Sequence, residues 1–78
     1  MANQEQLGIL KQGFLIWNKW RDENPDVEIN LRGAFLSSAN LIRANLQNAD
    51  FRKANLTNAD LSNADLKDVN FRTYPKNS

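Results

Sequence analysis

From residue 29 onward the apolar positions of this chain recur every five residues, a spacing that belongs to neither a helix nor a strand. The stretch 29–73 divides without a gap into nine pentads: INLRG, AFLSS, ANLIR, ANLQN, ADFRK, ANLTN, ADLSN, ADLKD and VNFRT. The third residue is always Leu or Phe, from Leu31 to Phe71, and the first is Ala except at the two ends, Ile29 and Val69. An α-helix advances about 500° in five residues, so the leucines would spiral around it and share no face. One long strand would place alternate leucines on opposite sides, because the period is odd. The chain must therefore turn once per pentad. A short extended piece points its first and third residues inward together, and Asn or Asp at the second position suits a corner because its side chain bonds nearby backbone. Stacked coils about 4.8 Å apart would satisfy one another's backbone groups, and the predicted fold is a β-solenoid.

The segment 1–28 follows a different rhythm. Asn3 is a helix cap, Gln6 stands three residues on in a capping-box position, and the helical pattern runs to about Arg21 before Asn24-Pro25 ends it. Leu7, Leu10, Phe14 and Trp17 form one stripe, with Ile9, Ile16 and Trp20 a second beside it, so the predicted helix must lie on something apolar. Gly13 falls between the stripes, where a missing side chain would admit a neighbouring backbone. Trp17 and Trp20 read as packing residues rather than a ligand-stacking pair. The expected organisation is a helix and connector over 1–28, the repeats over 29–73 and a short tail over 74–78.

The pentads closely resemble the pentapeptide-repeat family, whose pattern is A(D/N)LXX, over the whole of 29–73. That resemblance implies a right-handed quadrilateral β-helix with four pentads per turn and the first and third residues inside. Here it would make about two coils, closed at the N-terminal end by one amphipathic α-helix lying over Leu31, Leu36, Leu41 and Leu46. Four pentads per turn put every fourth pentad in one column, and the two inward phenylalanines, Phe51 and Phe71, obey that spacing above Leu31. Phe35 departs from the pattern, standing where Asn or Asp is expected. It is either an exposed aromatic or one covered by the connector. The string WNKWRDENP is also similar to helical leaders that precede some bacterial, notably cyanobacterial, repeats of this family.

Composition narrows the chemistry. There is no Cys and no His, which removes disulfides, the usual zinc sites and histidine-based catalysis. Neither a catalytic residue nor a cofactor is expected. Asp60, Asp65 and Asp68 do not make a metal site by their spacing, and Ser37, Ser38, Thr57 and Ser62 lack an activating partner. The N-terminus does not read as a signal peptide and no apolar stretch reaches the roughly 20 residues of a membrane span, so a cytoplasmic protein is expected. Net charge is +1, divided as −2 over residues 1–28 and +3 over 29–78.

With four pentads per turn, Arg32, Arg52 and Arg72 share one outward column, joined by Lys53 and opposed by Asp50. Such a ladder can bind phosphate, nucleic acid or an acidic protein, or can simply be a solvated face. At the C-terminal end only a few residues remain to cover Leu56, Leu61, Leu66 and Phe71, with Tyr74 folding over part of them. That end is expected to join a second copy in a two-fold dimer, or a partner protein. The leading function is a non-enzymatic structural or interaction module. The alternatives are anion or nucleic-acid binding through the arginine column, and the DNA mimicry by which some members of the resembled family act on DNA gyrase. Mimicry calls for a long acidic rod, whereas this repeat half is short and basic, and nucleic acid is not the expected partner.

Overall fold

The computed structural model describes residues 1–72. The tail assigned to 74–78, Tyr74 included, lies outside the described residues. Helix formation begins where Asn3 predicts it: its Oδ1 accepts a bond of 3.0 Å from the Gln6 amide, and helix α1 runs Gln4–Leu10. The one helix expected to reach Arg21 is instead two. The chain breaks at Lys11–Gly13, and helix α2 runs Phe14–Glu23. Gly13 adopts φ +101, which carries the chain out of the helical path and which side-chain-bearing residues rarely tolerate. The close approach expected there does not occur, since a Cβ added to Gly13 would meet nothing within 4 Å. The break also resets the helical phase. Leu7, Leu10 and Trp17 are buried while Ile9, Phe14 and Trp20 pack at the margin, but Ile16, assigned to the second stripe, is exposed, as is Leu15.

After the connector the chain returns on itself once in every four pentads. Parallel bridges join Asn30 to Asp50, Phe35 to Asn55, Asn40 to Asp60, Asn45 to Asp65 and Asp50 to Asn70. Four pentads thus complete one coil. The bridges are isolated, and no continuous strand forms among the described residues, because each side is interrupted by a corner before the next begins. At each corner the first amide of a pentad bonds back to the third carbonyl of the one before, as Ala34 does to Leu31 at 3.2 Å. The fifth residue takes a φ near +60, from Asp68 at 58 to Gly33 at 68. Gly, Asn and Asp accept this left-handed conformation most readily, and they fill five of its eight described positions. The second residue holds the corner from the other side: in eight pentads its Asn or Asp Oδ1 accepts from the amide two residues on. AFLSS is the exception, for the Phe35 side chain has no oxygen to offer the Ser37 amide.

Inside the coils Leu31, Leu36, Leu41, Leu46 and Phe51 are fully buried with Ala34, Ala44 and Ala49, and Leu7, Leu10 and Trp17 of the helices join the same cluster. Phe71 stacks on Phe51, ring centres 5.8 Å apart and planes 12° from parallel, as the four-pentad column predicts. The helices also bond to the open edge of the first coil. Gln6 does not close a capping box. Its side chain reaches the coil instead, Nε2 donating to the Glu28 carbonyl at 2.9 Å and Oε1 accepting from the Asn30 amide at 2.8 Å, while the Asn3 amide donates to the Asn30 carbonyl. On a second side the Asn45 carbonyl accepts from Trp17 Nε1 at 2.8 Å and Arg21 Nη1 at 2.9 Å, and the Asn45 amide donates to Asn18 Oδ1 at 2.7 Å. Arg21 Nη2 and Asn18 Nδ2 take up the Gln47 and Arg43 carbonyls.

These contacts rank substitutions by cost. Leu46→Ala should lose about 2–5 kcal/mol, Trp17→Phe about 0.5–1.5 kcal/mol for the forfeited bond to the Asn45 carbonyl, which Arg21 still satisfies, and Leu15→Ala less than about 0.5 kcal/mol. Urea denaturation followed by circular dichroism measures all three, and a Leu15 variant as costly as the Leu46 variant would contradict this packing.

Candidate functional site

Arg32, Arg52 and Arg72 occupy the fourth position of every fourth pentad, and the Asx turn of each pentad fixes its backbone: their amides donate to Asn30, Asp50 and Asn70. The column is therefore built by the same device that builds the corners. Its charges are not equivalent. Arg52 forks onto Asp50, Nε to Oδ1 at 2.9 Å and Nη2 to Oδ2 at 2.7 Å. The hydrogen bonds from Arg52 hold the Asp50 carboxyl below the usual carboxylate range, and the same bond raises the Arg52 guanidinium. Arg32, Arg72 and Lys53 make no ion pair among the described residues.

The structure gathers part of this column into a cleft and leaves part outside. A cavity of about 600 Å³ opens between α1 and the first two coils, bounded by Leu7, Lys11, Arg32, Phe35, Arg52 and Lys53, and no acidic side chain lines it. A second cavity of about 380 Å³ adjoins it, sharing Lys11 and Phe35 and extending to Ser37 and Asn40. Arg72 borders neither. Lys11 joins the cations only because the chain breaks after α1, and no spacing rule could have placed it there. Phe35 is 79% exposed, so the connector does not cover it.

The end-on residues form a separate surface. Leu56 and Leu61 are half-buried, Leu66 is 36% exposed and Phe71 42%, whereas their counterparts one coil earlier are covered. Two further carboxylates are engaged locally. The Ser62 hydroxyl and amide lower the Asp60 carboxyl, and Gln47 with the Lys67 amide lowers that of Asp65.

Coils joined by backbone bonds at a fixed offset of four pentads around an apolar interior define a β-solenoid. Pentapeptide repeats match in eight copies across residues 28–58 and 36–72, and the chain belongs to the pentapeptide-repeat family. No curated protein and no solved structure matches it. Among the described residues no helix is long and apolar enough to cross a membrane.

The three lowered carboxyls make the fold weaker in acid. Asp50, Asp60 and Asp65 ionise more readily folded than unfolded, so their stabilisation is complete above the unfolded value of about 3.9 and vanishes as pH falls through their lower folded values. With no histidine to titrate, urea midpoints should be level from about pH 5 to 8 and drop below about pH 4. Asp60→Asn keeps a turn-forming oxygen and should flatten the acid limb. An unchanged limb would show that these turns do not carry the acid sensitivity.

Proposed function

We propose that this protein is a non-enzymatic interaction module: a right-handed, four-sided β-helix of about two coils, closed at its N-terminal end by α1 and α2, that associates through its last coil with a second copy of itself. The bridges between every fourth pentad support the four-sided form, and the family supports the hand. The observation that carries the association is the contrast between the two ends. In the first coil the amides of Leu31, Leu36, Leu41 and Leu46 bond to the carbonyls of Asp50, Asn55, Asp60 and Asp65, and all four side chains are covered. In the last, the amides of Leu56, Leu61 and Leu66 have no partner among the described residues, and Leu66 and Phe71 expose apolar surface.

An apolar ring bordered by open backbone is an edge that joins whatever can complete it. A second copy related by a two-fold axis presents the same ring and the same open groups, which makes the contact self-complementary. Duplex mimicry has less to rest on, since Arg32, Arg72 and Lys53 give the column a sign opposite to that of DNA phosphate.

Native mass spectrometry and sedimentation at about 10 µM should find a dimer, and Leu66→Lys and Phe71→Asp should each return it to a folded monomer. Amides of Leu56, Leu61 and Leu66 should exchange slowly in the dimer and quickly in both variants. A monomer at about 100 µM would overturn the proposal.

A further inference from the structure

The helices complete only half of the first coil's open edge. On the sides that begin at Asn30 and Asn45, amide and carbonyl are both taken by groups of α1, α2 or Asn3. On the sides that begin at Phe35 and Asn40, the equivalent amides and carbonyls have no partner among the described residues, and neither does the Ser37 carbonyl. The ladder aims these groups away from the second coil, because the carbonyl of Ala34 and the amide of Leu36 already bond Asn55 on the other side. They therefore border the two adjoining cavities that flank Phe35.

Phe35 itself argues for a ligand. It is the one second-position residue that cannot accept from the amide two residues on, so the corner at Ser37 lacks the bond that eight other pentads have. A local rule broken in favour of an exposed aromatic is the mark of a residue kept for contact rather than for folding. Beside it stand Lys11, Arg32 and Lys53 with no acidic side chain in the lining.

We infer that this groove takes an extended acidic peptide, which adds to the open edge at Phe35. Its backbone donates to the Phe35 carbonyl and accepts from the Phe35 amide, in the place that Asn3 and Gln6 fill at Asn30. An apolar side chain of the peptide packs on the Phe35 ring, and its carboxylates face Lys11, Arg32 and Lys53. A free phosphate or a nucleic acid would satisfy the cations but leave the edge amides and the ring unused.

Fluorescence anisotropy with a labelled peptide of sequence Asp-Glu-Val-Leu-Glu-Asp tests this, beside a counterpart with Lys at the acidic positions and one N-methylated at alternate residues. The acidic peptide should bind saturably, and both counterparts should bind at least about tenfold more weakly. Phe35→Asn restores the missing turn bond, so it should raise the urea midpoint while weakening the peptide at least about tenfold. Lys53→Asn should weaken it several-fold, and Leu66→Lys, at the opposite end, should leave it unchanged, which separates this site from self-association. Amides of Phe35 should gain protection from exchange when peptide is bound. The inference is overturned by absence of saturable binding up to about 1 mM, by full affinity in Phe35→Asn, by equal affinity for the lysine or N-methylated peptide, or by an oligonucleotide that binds more tightly than the peptide.

Discussion

A coil of this solenoid cannot satisfy its own backbone. Within one turn only the corner bonds are local. The amides of Leu31, Gly33, Leu36 and Ser38 all find their acceptors in the next coil, on Asp50, Arg52, Asn55 and Thr57. Because a buried amide without a partner costs about 1–3 kcal/mol, each coil is stable only against a neighbour, and each end of the stack presents backbone groups that some other group must satisfy. The helices, the uncovered side at Phe35 and the exposed last coil are three consequences of that one constraint.

At the N-terminal end the chain replaces the missing coil with side chains. Gln6 presents both an acceptor and a donor to the Asn30 side, as a peptide group would, and Asn18 does the same on the Asn45 side. Trp17 and Arg21 add donors while Trp17 also fills the apolar interior, and the Arg21 guanidinium lies 6.0 Å from the centre of the Trp17 ring. Burial lowers the Arg21 pKa from its ordinary value, partly offset by Asp65. The two short helices are thus oriented by their bonds to the coil edge as much as by their apolar faces. That explains why α1, barely two turns long, persists with neither length nor a closed capping box.

The corners show the same economy. One Asn or Asp bonds its own turn, and at position 50 the same carboxylate also holds Arg52, so a residue chosen for folding organises the charged column as well. Phe35 gives up this arrangement. Its pentad keeps the inward Ala34 and Leu36, so the coil still closes, and the freed outward position carries a ring beside three cations.

The period of five was enough to determine the solenoid, the inward column and the corner chemistry, because each is a local consequence of spacing: Leu31 and Ala34 point inward and Asn30 turns the chain wherever the coil lies. The stacking of Phe71 on Phe51 needs the four-pentad turn as well, which the family resemblance implies and the period of five alone does not. The pattern of the helical segment determines less, since an amphipathic wheel presumes an unbroken helix and cannot register that Gly13 takes φ +101 or that Gln6 leaves its own cap for Asn30. Nor could spacing bring Lys11 to Arg32 and Lys53, or decide which sides of the first coil remain open. Those features depend on how two separately folding patterns meet, and the geometry of that meeting is set by backbone groups whose partners lie far along the sequence, as Glu28 does from Gln6 and Asn45 from Trp17 and Asn18.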